Sequence, residues 1–417
     1  LYQKGNIKPK ILFILMTADL GFPVETVKEG KVKVVVPKLE AFVKKPSDYA
    51  PSKAPVFYNP VMEFNRDVAV ISVRAYRRSV GHDLSICEPL TGTGVRGIRF
   101  AVEAPNTKVV VSDINEHAFK LASHNVSLNG VNDTVSVWHS DANCLLSCHA
   151  APHERFDVVD VDPFGSPVPY VDSAVRALRD GGLIALTATD LAALCGVHQN
   201  ACFRKYGGKP LHTEYCHELA VRLLSGCLVA QAAKHEMGIS VVFSHASDHY
   251  VRVYATVSHG AEKANACLRQ IGYVLHCFQC FHREKVFQTH TARVDQCPEC
   301  GAKMGYAGPL WLGNIFDEEF CRLMAEESMH VALNNNYRIS RLITLAKAEA
   351  KAPATYYVLD AVSDKLGLPV PSVDAALKLL QANGFSAFRT HFNSTGLRTN
   401  APATVVRRFI TRAAATS

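Results

Sequence analysis

No apolar run in this chain is long enough to span a membrane. The longest aliphatic stretch near the start, residues 11–16, is shorter than a transmembrane helix and than most signal-peptide cores, although Lys8 and Lys10 precede it. Internal repeats and low-complexity segments are also missing, which excludes solenoid and repeat architectures. Acidic residues are absent after Asp374, whereas Lys378, Arg389, Arg398, Arg407, Arg408 and Arg412 follow it. Such a one-sign tail is either a solvated face or a contact for a polyanion, and the net charge of +7 fits both readings. The chain begins at Leu1 and a Met stands at position 16, so residues 1–28 are expected to be a leader, disordered or belonging to a mis-assigned start.

With 417 residues the chain should form two or more folding units. Of the thirteen cysteines, Cys87, Cys195 and Cys227 sit in apolar runs and read as reduced, buried thiols, which points to a cytoplasmic protein. Residues 31–36 read as a short strand, and residues 44–60, rich in Pro, Ser and charge, as an irregular arm. From about residue 61, β-rich runs at 84–87, 108–112, 135–138, 156–161 and 183–187 alternate with helical stretches such as 116–128 and 170–178. That alternation is the pattern of βαβ units and an α/β fold with a parallel sheet. Residues 239–244 and 250–257 read as a closing hairpin.

The run at 84–87 leads into Glu88-Pro-Leu-Thr-Gly-Thr-Gly-Val-Arg-Gly97, a G-x-G-x-x-G turn between strand and helix. Dinucleotide enzymes use the same glycines, so the motif alone leaves the ligand open. A carboxylate at the strand end, Glu88, favours a ligand carrying positive charge over a pyrophosphate, and S-adenosylmethionine has both an ammonium and a sulfonium. Asp113, nineteen residues beyond Gly94, is placed to accept both ribose hydroxyls, and Asp141 at the third strand end to accept the adenine amine. Each carboxylate alone could be a solvated loop acid or a helix cap; successive strand ends give the set its meaning.

The fourth strand ends in Asp162-Pro163-Phe164-Gly165. This Asp-Pro-aromatic arrangement at the end of the fourth strand resembles the motif of amino-methyltransferases acting on bases, and an exocyclic base amine is a poor nucleophile, because its lone pair is delocalised into the ring. A carboxylate that accepts its hydrogen bond aligns it and takes its proton, which makes Asp162 the candidate catalytic residue. Pro163 leaves a carbonyl to accept the second amine hydrogen, and Phe164 offers a face to an extruded base. An Asp-Pro turn with a core phenylalanine is the bland alternative.

Two further features lie downstream. Cys277-Phe-Gln-Cys280 and Cys297-Pro-Glu-Cys300 are knuckles sixteen residues apart, a spacing that reads as a structural four-thiolate Zn2+ site, with redox C-x-x-C as the rival. Residues 356–366, 372–381 and 385–398 read as helix, turn, helix and wing.

Taken together, these segments are similar to the tRNA (guanine(26)-N(2))-dimethyltransferase family in its archaeal form. The resemblance rests on Ala54-Pro-Val-Phe-Tyr-Asn-Pro60, Asn65-Arg66-Asp67, Gly92-Thr-Gly-Val-Arg-Gly-Ile-Arg99, Asp162-Pro-Phe-Gly-Ser-Pro167 and Thr187-Ala-Thr-Asp190. It continues through Leu194-Cys-Gly196, Arg204-Lys-Tyr206, Cys216-His-Glu218, Asp248-His-Tyr-Val-Arg252, Gly308-Pro-Leu-Trp-Leu-Gly313 and Arg389-Thr-His-Phe392. It implies a class I (Rossmann-like) S-adenosylmethionine methyltransferase domain at 29–262. It further implies a C-terminal α+β tRNA-binding region at 263–417, with a zinc ribbon at 272–306 and a winged-helix-like unit at 352–412. Arg66, Arg96 and the backbone of Ala142 would join Glu88, Asp113 and Asp141 at the cofactor, and Phe57 would face Phe164 across the base. Glu88 stands where the family carries Asp, which preserves the charge. The implied partner is tRNA, with no membrane and no obligate protein partner. Rival readings are a methyltransferase for another nucleobase amine and a zinc-ribbon binding protein with a degenerate enzyme domain; intact Glu88, Asp113, Asp141 and Asp162 oppose the latter.

Overall fold

The computed structural model describes residues 20–43, 50–287 and 296–414. The expected leader lies outside them as far as residue 19, and so do residues 44–49 of the expected arm. Residues 24–28, also assigned to the leader, are instead structured. β1 (Val24–Glu29) pairs antiparallel with β2 (Val32–Pro37) in a hairpin, where a single strand at 31–36 was expected. The reason is electrostatic as well as apolar. Glu29, fully buried at the hairpin tip, accepts from Arg66 Nε and Nη2 at 2.6 Å each and from Arg99 Nη1 at 3.0 Å, which anchors β1 to the two helices carrying those arginines.

One of those helices, α1 (Glu63–Val80), was not among the helical stretches read from the sequence; its first two turns bury Asn65, Arg66 and Asp67 together with the apolar residues. After it come β3 (Leu84–Glu88), α2 (Val95–Glu103), β4 (Thr107–Asp113), α3 (Glu116–Leu128), β5 (Val135–His139), α4 (Ala142–Cys148), β6 (Phe156–Val161), α5 (Val168–Arg176) and β7 (Leu178–Ala188). Then α6 (Leu191–Leu194), α7 (Gln199–Tyr206) and α8 (Cys216–Ala233) lead into the hairpin of β8 (Met237–Ser247) and β9 (Tyr250–His259). The seven strands form one sheet in the order β5-β4-β3-β6-β7-β9-β8, parallel except for β9, which runs antiparallel to both its neighbours. The order reverses between β3 and β4 on one side and β6 on the other. Ligands of such sheets bind at that switch, beyond the carboxyl ends of the strands. Valine recurs in β4 and β6, at 109–111 and at 158, 159 and 161, as suits a parallel sheet covered by helices on both faces.

The chain continues through α9 (Ala261–Leu268), β10 (Ile271–His276), β11 (Arg283–Phe287) and β12 (Gly305–Trp311), a sheet ordered β11-β10-β12 that carries the paired cysteines. Helices α10 (Glu318–Ser328) and α11 (Asn336–Glu349) follow. Last come β13 (Tyr357–Val358), α12 (Leu359–Leu366), α13 (Val373–Ala382), β14 (Ala387–Arg389), β15 (Gly396–Thr399) and α14 (Ala403–Ala414). The main apolar core extends from Val32 to Phe392 and takes in α10 and α11, while Leu359, Leu380, Leu397, Phe409 and their neighbours form a second, smaller core. α10 packs against α1, where Arg74 pairs with Glu327 at 2.7 Å. No helix of the described residues is long and apolar enough to cross a membrane.

Candidate active site

The three expected cofactor carboxylates stand at the ends of adjacent parallel strands. Glu88 closes β3, Asp113 closes β4, and Asp141 follows β5 as the N-cap of α4. Glu88 accepts from Thr91 Oγ1 at 2.6 Å and from the Gly97 amide at 3.0 Å. A side chain at position 97 would meet Val111 at 2.3 Å and Glu88 at 3.0 Å, so only glycine lets α2 settle this close to the sheet. Asp113 accepts from the amides of Gly92 and Asn115, both at 2.9 Å, and so fixes the glycine turn against the next strand. Asp141 accepts from the Cys144 amide at 3.0 Å, and Ala142 beside it opens the helix with an amide of the kind a helix cannot satisfy internally.

Asp162 follows β6 and its side chain is 19 % exposed. Its carboxylate binds Nη2 of Arg96. The same guanidinium lies 3.4 Å from Glu88 and 3.7 Å from Asp160, so the arginine expected at the cofactor is shared by three carboxylates. A second, fully buried guanidinium completes the group: Arg252 of β9 donates to Asp160, to Thr187 Oγ1 and, at 2.7 Å, to Tyr254 Oη. Three carboxylates thus face two guanidiniums. Burial would raise the Asp162 carboxyl, but Arg96, then Arg252 and a hydrogen bond from Thr187, hold it below the usual carboxylate range. Glu88 responds the other way. Burial pushes it up to about 8, with Asp160 and Asp162 adding to the rise, against the opposing pull of Arg96 and Thr91.

Beyond Asp162, Pro163 is half-buried and Phe164 is 71 % exposed, a large apolar side chain left in solvent two residues past the charged group around Arg96. Phe57 meets it edge to face, with ring centroids 4.5 Å apart. The loop carrying Phe57 is fixed on both sides. Tyr58 Oη donates to Glu29 at 3.2 Å, and Asn115 Nδ2 donates to the Pro55 carbonyl at 2.8 Å. The Asp162 loop is tied down in turn, since Gly165 donates to Thr189 Oγ1 and Thr189 to the Gly165 carbonyl, both at 2.8 Å. The expected site residues from Phe57 to Phe164, Arg66 apart, therefore lie at or beside the carboxyl ends of β3, β4, β5 and β6, at the switch of the sheet. Arg66 is the qualified case. It is 5 % exposed and committed to Glu29 and, at 3.1 Å, to the Asn59 carbonyl.

Several contributors carry no role in the sequence reading. Arg252 and Asp160 had a signal: a charge inside an apolar strand that is buried on both faces must be paired. Asn125 of α3 had none. Its side chain donates to the carbonyls of Thr93 and Val35, 2.9 Å each, and so joins the glycine turn to the β1–β2 hairpin.

Away from the cleft, Cys277, Cys280, Cys297 and Cys300 bring their four sulfurs within 4.8 Å of one another. The two knuckles mirror each other: amide 277 bonds carbonyl 282 and amide 297 bonds carbonyl 302, at 2.9 and 2.8 Å. A tetrahedral ion with bonds of about 2.3 Å requires sulfurs about 3.8 Å apart. The Sγ pairs at 3.4 and 3.5 Å need little adjustment to reach that spacing. The tail expectation needs correction. Arg398 is buried, 2.6 Å from Glu349 and 3.0 Å from Glu218, and Arg389 pairs with Asp374 at 2.8 Å, so acidic residues earlier in the chain do neutralise part of it. Lys378 and Arg408 remain on the surface.

Comparison with known proteins agrees with this geometry. The profile of the N2,N2-dimethylguanosine tRNA methyltransferase family matches residues 30–411. The tRNA (guanine(26)-N(2))-dimethyltransferase of Methanobrevibacter smithii is 39 % identical over 390 residues, 93 % of this chain and 97 % of that one. The tRNA (guanine(26)-N(2)/guanine(27)-N(2))-dimethyltransferase of Aquifex aeolicus is 34 % identical over 380 residues, 90 % of this chain and 93 % of that one. The solved complex of Trm1 from Pyrococcus horikoshii with S-adenosyl-L-methionine superposes with a TM-score of 0.81 at 32 % identity, covering 93 % of this chain and 99 % of that one. On a match that spans nearly its whole length, the chain belongs to the N2,N2-dimethylguanosine tRNA methyltransferase family.

Proposed function

We propose that this protein transfers two methyl groups in succession from S-adenosylmethionine to the exocyclic N2 of guanine 26 in tRNA. The observation that carries the reading is the position of Asp162, at the carboxyl end of β6 between the Arg96 guanidinium and the Phe57–Phe164 pair. Asp162 accepts a hydrogen bond from the N2 amine, orients its lone pair and receives its proton, while the Pro163 carbonyl accepts the second hydrogen. Phe57 and Phe164 part to hold the extruded guanine. On the cofactor side, Glu88 faces the ammonium, Asp113 the ribose, and Asp141 with the Ala142 amide the adenine. Arg66, through the nitrogen that Glu29 does not take, and Arg96 balance the cofactor carboxylate. When bound, the cofactor supplies an electrophilic methyl on a sulfonium.

In this reading residues 29–262 form the catalytic unit and residues 263–417 dock tRNA. The ribbon at 272–306 is stabilised by Zn2+ on Cys277, Cys280, Cys297 and Cys300, the winged-helix-like unit at 352–412 contacts the phosphate backbone, and the enzyme works in the cytoplasm without a protein partner. The test is mass spectrometry of nucleosides from unmodified tRNA incubated with purified protein and S-adenosylmethionine. Dimethylguanosine that disappears when position 26 is changed to adenine supports the reading. Its persistence on that transcript, or methylation of another base, refutes it.

A further inference from the structure

Apart from the ribbon, one other set of donor atoms converges among the described residues. Cys195, Cys216 and His217 each bring a ligand atom to within 4.8 Å of the others. They come from two segments: Cys195 follows α6, and Cys216 and His217 are the first two residues of α8. The approach of those segments is built into the backbone. The His212 ring Nδ1 bonds the Cys195 carbonyl at 3.1 Å. Gly196 takes a φ of +94°, and a Cβ there would sit 2.6 Å from the His212 amide, so the Cys195–Gly196 turn is pressed onto the strand of chain just before α8. Two apposed thiols alone would read as packing or as a disulfide pair. An imidazole within the same reach has no use in either, whereas two thiolates and a neutral imidazole are a soft ligand set whose charge balances a divalent cation.

We propose that Cys195, Cys216 and His217 form a second metal site, for a thiophilic divalent cation of the zinc class, with water in the remaining coordination position. The site clamps the segment after β7 to the start of α8. That segment carries Thr189, which bonds Gly165 of the Asp162 loop, and Asp190, which accepts from Tyr206 Oη at 2.6 Å and pairs with Lys205 Nζ at 2.8 Å. The metal would therefore act as a staple behind the catalytic loop and touch neither base nor cofactor.

Elemental analysis of the full-length protein, purified anaerobically, tests this. The double variant Cys195→Ser, Cys216→Ser should hold one metal equivalent fewer than wild type, whatever the ribbon holds, and Cys277→Ser, Cys280→Ser should leave that equivalent in place. Unchanged metal content in the first double variant overturns the proposal. Should that variant fail to fold, His217→Gln, its fold checked by circular dichroism, is titrated with zinc against a chromophoric chelator. One class of site should weaken by about tenfold or more; an unchanged titration overturns the proposal, as does a metal-free wild type in which peptide mapping finds Cys195 and Cys216 disulfide-linked.

Discussion

Glu88 should make cofactor binding release a proton. Buried at 3 % exposure beside two other carboxylates, it is pushed up to about 8 in the protein without cofactor. At pH 7 about ten protonated molecules then exist for each ionised one, and charging Glu88 to receive an ammonium costs about 1.4 kcal/mol. S-adenosylmethionine should accordingly bind about tenfold more weakly at pH 7 than it would to a fully ionised site, and about tenfold more weakly again at pH 6. The ligand's own amino group titrates near the same range, so the comparison needs Glu88→Gln as its blank, a variant with the same shape and no proton to lose. Isothermal titration calorimetry in two buffers of different ionisation enthalpy reads the proton directly: nearly one released per cofactor bound at pH 7 by wild type in excess of the variant. Equal proton release by both proteins, with parallel pH dependence of Kd from pH 6 to 9, would refute the role given to Glu88. Stability follows with a definite sign. Between the ordinary carboxylate range and about pH 8 the folded protein retains a proton that the unfolded chain has lost, so this residue lowers stability as pH rises, and bound cofactor offsets the loss.

Four further outcomes are expected. Asp162→Asn should abolish most turnover in single-turnover methylation assays while leaving the Kd for cofactor within a few-fold; an equal loss in both would mean that Asp162 serves the cofactor and not the base. Phe164→Ala, at an exposed position, should leave Tm unchanged and lower kcat/KM for tRNA; unaltered kinetics would remove the base-stacking role. Arg398→Gln leaves Glu218 and Glu349 short of a buried cation and should destabilise the fold by about 3 kcal/mol or more, whereas the exposed Arg408→Gln should not, as thermal denaturation would show. Lys378 and Arg408 changed together to Gln should lower the salt slope of tRNA binding by about one per lost phosphate contact; identical slopes would make the tail a solvated face.

What could be read in the sequence follows the physics of short range. The edges of β6 and α3 were legible to the residue, because each pairs a local periodicity with a local stop signal such as Asp162-Pro163 or the Asn115 cap. The strand-end carboxylates were legible because the α/β pattern dictates where a strand end must point. What stayed hidden depends on contacts between distant segments. β1 is held through Glu29 by arginines 37 and 70 residues away, so nothing in residues 24–28 announced a strand. Arg398 looked like part of a free basic tail because its partners, Glu218 and Glu349, lie 180 and 49 residues earlier. Cys195 is the buried, free thiol its apolar run announced, but its approach to Cys216 and His217 could not be read, because those neighbours arrive with α8.

The hidden ion pairs also bear on how the site can work without a large rearrangement. Arg252 is committed to Asp160, Thr187 and Tyr254 and stays where β9 puts it, so its charge is a fixed background. Arg96 is different, because three carboxylates compete for one guanidinium. Fully ionised, the group would hold one negative charge too many in a buried place, and the proton on Glu88 is how it avoids that while no cofactor is present. A cofactor whose ammonium and sulfonium outweigh its carboxylate by one positive charge supplies the missing balance. On the proposed reading Glu88 would then ionise and take a larger share of Arg96, which would loosen the hold of Arg96 on Asp162 and free that carboxylate to accept the guanine amine. Cofactor binding would in this way prepare the base side of the cleft through charge alone, with Asp160 and Arg252 as its unmoving frame.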